Sequence, residues 1–269
     1  MLGCDLDGVV WLGDAPIAGS VDAIARFRRA GWRVAFVTNN SAATRATVAA
    51  KLTGLGIAAE PGDVVSSASA AGAWCREELD ADARILCCAG PGVREALTEA
   101  GFVAIVDAGA QSDSVRFAGG PFDAVVCGWH REFDFDRLAN AADALHRGAR
   151  FIVTNEDATY PTTGRRLPGN GALVAAIATA AGRVPEVVTG KPHAPLAELV
   201  VTTFGPVSVM VGDRPSTDGA FARRLGCGFA LVLSGVAGAQ RENDEPIPDP
   251  PPEFVAADLA GLADLLLDA

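Results

Sequence analysis

The chain has 269 residues, of which 49% are hydrophobic and 20% charged, a composition typical of a globular protein with a large core. Its net charge of -11 argues against the basic surface that nucleic acids and anionic membranes require, so we expect neither as a partner. We find no apolar stretch of about 20 residues that would cross a bilayer and no signal-peptide pattern. The six cysteines lack zinc-site spacing, and we interpret them as reduced core residues of a cytoplasmic protein.

Strand-like and helical segments alternate along the chain, which predicts an α/β fold. After a short apolar segment at Leu2–Cys4, the predicted strands cover residues 32–38, 84–89, 123–128, 149–154, 206–212 and 228–233. The predicted helices cover residues 21–30, 42–55, 67–79, 93–100, 135–147, 171–181, 220–225 and 260–267. Gly90-Pro91-Gly92 is interpreted as a turn, because Ala96 stands where a dinucleotide fingerprint needs its third glycine. The acidic, proline-rich residues 245–252 are interpreted as an exposed connection.

Two carboxylates, Asp5 and Asp7, follow the first apolar segment in the sequence Asp-Leu-Asp-Gly. Residues two apart in a strand project to the same side, so these acids would repel each other unless a cation lies between them. Asp and Gly are also common turn residues, so the pair alone fits a turn equally well.

Polar groups stand at three other places where a predicted strand ends or a helix begins. In chain order they are Thr38-Asn39-Asn40, Gly190-Lys191-Pro192 and the segment from Gly212-Asp213 to Asp218. Each alone also fits a helix cap, a surface lysine or a turn. Open α/β sheets bind ligands at the carboxyl ends of their strands, so we expect the four motifs to meet there. Carboxylates beside a phosphate are a typical Mg²⁺ environment.

The ordered set Asp-x-Asp-Gly, Thr-Asn-Asn, Gly-Lys-Pro and Gly-Asp-Arg-x-x-Thr-Asp resembles the motifs of the haloacid dehalogenase-like superfamily over essentially the whole chain. The closer resemblance is to its late-cap phosphatases, the NagD, p-nitrophenyl phosphatase and glycerol-3-phosphate phosphatase-like group. This resemblance implies a Rossmann-like parallel-sheet core with an inserted α/β cap domain.

Motif spacing places the cap. The 30 residues between Asp7 and Thr38 leave no room for an early cap, whereas 151 residues separate Asn39 from Lys191. Two core helices use part of that interval, and about 100 residues remain for an inserted domain. We therefore predict a core of residues 1–81 plus 187–269 and a cap of residues 82–186.

The resemblance implies that Asp5 is the nucleophile and that Asp7 donates and then accepts a proton. An aspartate of ordinary pKa, about 3.9, is ionised at neutral pH and needs no base. Mg²⁺ is expected to be held by the carboxylates of Asp5 and Asp213 and by the main-chain carbonyl of Asp7.

The other implied roles concern the phosphate. Thr38, Lys191 and the main-chain amides near Asn39 are expected to hold its oxygens. Asp218 is expected to orient Lys191 or a water on the metal.

The cap is expected to contact the leaving group of the substrate and to determine substrate specificity. The candidates are His130, Arg131, Asn155, Asp157, Tyr160 and Arg165, for each of which a surface or structural role is an equal alternative. Asn155 and Asp157 also suit a turn.

The predicted function is an Mg²⁺-dependent phosphatase that acts on a small phosphorylated metabolite. Glycerol 3-phosphate is the first candidate, with pyridoxal phosphate, phosphoglycolate and nucleoside monophosphates as alternatives. A homodimer is left open. A non-catalytic phosphate-responsive module is the alternative class, but such receiver modules need only about half this length and have no cap.

Overall fold

The computed structural model describes residues 1–109, 121–162, 165–235, 238 and 251–268. Its strands are β1 (Leu2–Cys4), β2 (Trp11–Leu12), β3 (Ala15–Pro16), β4 (Val34–Thr38), β5 (Val64–Ser66), β6 (Ile85–Cys88), β7 (Ile105–Asp107), β8 (Ala124–Cys127), β9 (Arg150–Val153), β10 (Thr159–Thr162), β11 (Arg165–Pro168), β12 (Val187–Val188), β13 (Val209–Gly212), β14 (Gly228–Val232) and β15 (Phe254–Ala256). Its helices are α1 (Ser20–Arg29), α2 (Arg45–Gly54), α3 (Ser67–Glu78), α4 (Pro91–Glu99), α5 (Phe135–His146), α6 (Asn170–Ala181), α7 (Ala194–Phe204), α8 (Ala220–Leu225) and α9 (Leu259–Leu267).

The first sheet consists of six parallel strands in the order β15-β14-β13-β1-β4-β5. Every residue of the inner strands β4 and β13 is buried, and these strands are apolar apart from Thr38 because helices cover both faces of the sheet. On one face the core includes Phe27 and Leu52, and on the other Leu196 and Phe221. The predicted parallel α/β core is confirmed.

Strand β1 occupies the point where the strand order reverses, with β4 on one side and β13 on the other. Cys4 pairs with Phe36 in β4 and with Val211 in β13. The residues that follow these three strands therefore leave the sheet at one level, on its carboxyl edge. An open α/β sheet forms its ligand-binding crevice at this position.

A second parallel sheet, in the order β12-β9-β8-β6-β7, lies between β5 and β13 in the chain. Helix α3 packs against both sheets: Ala71 and Cys75 belong to the apolar cluster under the second sheet, and Ala70 to the cluster under the first. The sheet ends at Val188, two residues beyond the end that we predict for the cap, and the division into domains stays a prediction.

Several short elements are absent from the predicted set. Strands β5 and β7 have only three residues each, and the hairpin β10–β11 contains Pro161, so none shows a clear alternating pattern. The interpretation of Gly90-Pro91-Gly92 as a turn needs correction, since α4 already begins at Pro91. Proline suits the first helical position because its missing N–H needs no partner there.

Three sequence interpretations concern the rest of the chain. Residues 245–250 of the expected exposed connection lie outside the described residues. Within the described ranges, no helix combines the length and the apolar character that a membrane crossing requires. All six cysteines are free; five are buried, and burial raises the pKa of Cys75 to about 12, which leaves that thiol protonated and unreactive.

Helices α3 and α4 approach each other most closely at Gly72, where an added Cβ would lie 2.5 Å from the carbonyl oxygen of Ala96. Alanine normally stabilises a helix by about 1 kcal/mol relative to glycine. We expect Gly72→Ala to lower the free energy of unfolding by about 1–3 kcal/mol, because backbone atoms must move apart. Gly54→Ala in α2, where no atom lies within 4 Å, is the matched control and should be neutral or stabilising. Urea denaturation measures the free energy of unfolding of both variants. Equal changes in this free energy would contradict the close packing of α3 and α4 at Gly72.

Candidate active site

A pocket opens where β13, β1 and β4 end, and residues from the segment that contains the second sheet also line it. Its walls are formed by Asp5, Asp7, Thr38, Asn39, Asn40, Trp129, Asn155, Asp157, Thr159, Tyr160, Gly169, Asn170, Lys191, Asp213, Arg214 and Thr217. All four predicted strand-end motifs are therefore brought together at the carboxyl edge of the first sheet.

Lys191 lies at the base of this pocket, only 4% exposed. Its ammonium group is 2.7 Å from Oδ1 of Asp5 and 2.6 Å from Oδ1 of Asp218. Burial alone would lower the pKa of Lys191, but the charges of Asp218 and Asp5 outweigh burial and raise it, so the side chain stays protonated. The lysine thus bridges the first strand and the segment after β13.

Three buried carboxylates lie close together in this part of the pocket. Asp5, Asp213 and Asp218 each offer an oxygen, and these oxygens lie within 4.8 Å of one another. Burial raises the pKa of Asp5 well above its ordinary value; Lys191 opposes the rise, and the charges of Asp218 and Asp213 add to it. The sequence predicts an ordinary pKa for Asp5, whereas in the metal-free chain this pKa is raised. When ionised, the three carboxylates carry more negative charge than the single lysine neutralises. The site is therefore suited to a hard divalent cation, which would in turn favour the ionised form of the carboxylates.

Asp218 already has two partners that fix its orientation. Its Oδ1 accepts the bond from Lys191, and its Oδ2 accepts a bond of 3.1 Å from the main-chain N–H of Arg214. This arrangement supports an orienting role for Asp218, with Asp5 and Asp213 as the carboxylates that would contact a cation.

The end of β4 supplies the next wall. Thr38 is buried, and its Oγ1 accepts a 3.0 Å bond from the main-chain N–H of Asn40. The side chain of Asn39 bonds other residues of the protein. Its Oδ1 accepts a hydrogen bond from the main-chain N–H of Lys191, and its Nδ2 donates one to the carboxylate of Asp157, in the segment that contains the second sheet. Asn39 therefore ties three segments together around the pocket.

Asp7 receives two hydrogen bonds on one oxygen. The indole Nε1–H of Trp11 donates to Oδ1 over 3.1 Å, and the hydroxyl of Tyr160 donates to the same atom over 3.3 Å. Burial raises the pKa of Asp7, while the bonds from these two donors and the charges of Lys51 and Lys191 oppose the rise. Burial and the charge of Asp7 also raise the pKa of Tyr160, so the phenol keeps the proton that it donates.

Gly8 makes the turn after Asp7 possible. Its φ of +87° lies in the left-handed region, and an added Cβ would lie 2.3 Å from Oδ2 of Asp213. Only glycine allows the chain to pass this close to the carboxylate. The Asp-Gly pair is thus a tight turn and part of the acidic site at once, so the two interpretations of this dipeptide are compatible.

The proposed readers of the leaving group lie in different environments. His130 is buried beside Phe133, and its Nδ1 lies 2.8 Å from the carbonyl oxygen of Gly128. Burial lowers the pKa of His130. Arg131 is exposed, and neither His130 nor Arg131 lines the pocket. Asn155 does line it, but its Nδ2 donates to the Asn39 carbonyl and its Oδ1 accepts from the N–H of Asp157, which forms the expected turn. Arg165 lies on β11, and its side chain is outside the described part of the structure.

Trp129 and Arg214 are among the residues of the pocket wall to which the sequence interpretation gave no role. Trp129 stacks on Tyr160 with ring centroids 4.8 Å apart, and Arg214 contacts Asp157 over 3.4 Å. Both adjoin a residue that the motifs single out, since Trp129 precedes His130 and Arg214 follows Asp213. An aromatic residue beside a polar motif at a strand end was the available signal for Trp129.

Comparisons with known proteins agree with this geometry. Residues 2–103 match the sequence profile described as haloacid dehalogenase-like hydrolase, and residues 188–262 match a second, HAD-hydrolase-like profile. The chain is 31% identical to a 4-nitrophenylphosphatase of Schizosaccharomyces pombe, over 97% of this chain and 92% of that protein. It is 36% identical to a D-glycerol 3-phosphate phosphatase of Mycobacterium tuberculosis, over 87% of this chain and 63% of that protein.

Solved structures are similar over the whole fold. The glycerol phosphate phosphatase from Mycobacterium tuberculosis in complex with magnesium superposes with a TM-score of 0.83 at 34% identity, covering 97% of this chain and 76% of that one. A 4-nitrophenylphosphatase from Thermotoga maritima gives a TM-score of 0.83 at 26% identity, covering 98% and 95%. Both likenesses extend across the core and the second sheet. This chain belongs to the haloacid dehalogenase-like hydrolases.

Proposed function

We propose that this protein is a magnesium-dependent phosphatase that hydrolyses small phosphomonoesters through an aspartyl-phosphate on Asp5. The observation that carries the proposal is the buried group of Asp5, Asp213, Asp218 and Lys191 at the floor of a pocket. The S. pombe relative, which is named as a 4-nitrophenylphosphatase, supports the same chemistry.

In the first step Asp5 is the nucleophile. One of its carboxylate oxygens attacks phosphorus, the bond between phosphorus and the ester oxygen breaks, and that oxygen takes a proton from Asp7. Lys191, Thr38 and the main-chain amides near Asn39 hold the phosphoryl oxygens. Phosphoryl transfer needs mainly positioning and charge stabilisation, which this set of groups supplies.

In the second step a water molecule attacks phosphorus of the aspartyl-phosphate. Its proton passes to Asp7, the bond between phosphorus and Asp5 breaks, and inorganic phosphate leaves. Both aspartates then have their initial protonation. One carboxyl group serves as acid and then as base, which requires a pKa near the working pH. The raised pKa of Asp7 is in the required direction.

The cation would be held by the carboxylates of Asp5 and Asp213 and by the main-chain carbonyl of Asp7. When bound, Mg²⁺ offsets the repulsion between the carboxylate nucleophile and the phosphate dianion. Asp218 keeps Lys191 beside Asp5 and leaves the direct contacts to the other two acids.

Glycerol 3-phosphate is the first candidate substrate. Two relatives with 34–36% identity, one from Mycobacterium tuberculosis and one from Gallus gallus, are named for this activity. Phosphoglycolate is an alternative supported by a relative of 33% identity from Arabidopsis thaliana. The free cysteines support a cytoplasmic location.

Asp5→Asn should reduce phosphate release by at least about a thousandfold, because an amide cannot attack phosphorus while its shape is unchanged. Steady-state release from p-nitrophenyl phosphate measures this. Asp22→Asn, at an exposed position of α1, is the control and should retain full activity. Turnover of the Asp5 variant within tenfold of wild type would remove Asp5 from the nucleophile role.

Asp213→Ala should raise the half-saturating Mg²⁺ concentration by about tenfold or more, because the site loses one of few carboxylate ligands. Activity titrated against Mg²⁺ gives this value. Asp157→Asn changes an acid of the pocket wall outside the buried cluster and should leave the half-saturation unchanged. If both variants raise the half-saturating Mg²⁺ concentration equally, the effect comes from the overall charge of the pocket and Asp213 is not a ligand.

Trp129→Leu should change the relative kcat/KM among glycerol 3-phosphate, phosphoglycolate and pyridoxal phosphate by about tenfold, because Trp129 lines the pocket where the leaving group enters. Arg131→Ala, at the exposed neighbouring side chain that the sequence favours, should preserve the order of the three substrates. A reordering by Arg131→Ala alone would return the specificity role to the His130–Arg131 pair.

A further inference from the structure

The two donors to Asp7 come from distant parts of the chain. Trp11 belongs to the first part of the chain, four residues after Asp7, whereas Tyr160 lies 153 residues away on the hairpin β10–β11. Both bonds end on Oδ1. The carboxyl group is therefore held by one of its oxygens, and Oδ2 is the oxygen that these two donors leave for other partners.

The indole of Trp11 is itself fixed. Its side chain is 4% exposed, and its main-chain N–H donates to the carbonyl of Leu6. The ammonium group of Lys51 lies 4.1 Å from the indole ring centroid and donates a 2.6 Å bond to the carbonyl of Gly13. One of the chain's two lysines thus holds the hairpin β2–β3 and the indole together.

Tyr160 is fixed through Trp129. The two rings are stacked at an interplanar angle of 24°. The Nε1–H of Trp129 donates to the carbonyl of Pro168 over 2.9 Å, and its main-chain N–H donates to Oγ of Ser41 over 3.2 Å. Trp129 therefore holds the Tyr160 ring beside Asp7.

We propose that Trp11 and Tyr160 are positioning residues that orient Asp7 for proton transfer, by anchoring Oδ1 so that Oδ2 exchanges the proton with the ester oxygen and then with water. Tyr160 acts from strand β10, whereas Trp11 acts from the segment that follows Asp7. The inference rests on the proposed function, because it assigns partners to the acid and base of that reaction.

Leaving-group chemistry separates this role from a structural one. A nitrophenolate leaves as a stable anion and needs little help from an acid, whereas unsubstituted phenolate gains from protonation. We expect Trp11→Phe and Tyr160→Phe each to lower kcat/KM for phenyl phosphate by about tenfold and for p-nitrophenyl phosphate by less than about threefold. The two esters have similar shapes, so recognition by the pocket changes little between them. The double variant should approach the selectivity of Asp7→Asn.

Two further variants and a stability measurement complete the experiment. Trp32→Phe replaces a tryptophan that packs on Phe27 and should affect the two esters equally. Asp7→Asn should show the largest difference between them. Thermal unfolding identifies any variant that fails to fold, and because Trp11 and Tyr160 lie on separate elements, either one alone still tests the role.

Each outcome has one interpretation. A selective loss on phenyl phosphate in the folded variants supports the positioning role. An equal loss on both esters, with Asp7→Asn still selective, overturns the inference and leaves the proposed mechanism intact. If Asp7→Asn itself treats both esters alike, Asp7 is not the acid, and the proposed mechanism fails together with the inference.

Discussion

The site depends on one buried contact, the ammonium group of Lys191 between the carboxylates of Asp5 and Asp218. Burying three acids would be strongly unfavourable without compensating positive charge. The lysine supplies one such charge and brings the first strand and the segment after β13 to a common point. The remaining negative charge makes the pocket suited to a divalent cation, and the cation in turn makes it suited to an anionic phosphoryl group. Metal binding and phosphate binding are thus consequences of one electrostatic arrangement.

The first sheet and the segment that contains the second sheet contribute different groups to the pocket. The first sheet positions the buried acids, because Asp5 and Asp213 directly follow its neighbouring strands β1 and β13. The part that contains the second sheet supplies aromatic and polar walls, through Trp129, Tyr160 and Asp157. Asn39 joins them, since its amide bonds both the main chain of Lys191 and the carboxylate of Asp157. Groups that we propose to hold the phosphoryl oxygens and groups that we propose to enclose the leaving group are therefore linked by direct hydrogen bonds.

Most of the core and its chemistry could be predicted from the sequence, because apolar runs mark buried parallel strands and polar motifs follow them directly. Asp5, Thr38, Lys191 and Asp213 each adjoin such a run or a helix start. The second part could not be predicted to the same depth. The bond between Tyr160 and Asp7 joins residues 153 apart and depends on how a short hairpin packs, which no local pattern encodes.

Strand β12 ends at Val188, only three residues before Lys191. Between them, the hydroxyl of Thr189 donates to the Ser67 carbonyl at the start of α3, which pins this short connection to the core. An exchange of the predicted cap, residues 82–186, would therefore have to preserve the chain path just before Lys191, since a displaced splice would carry the lysine with it.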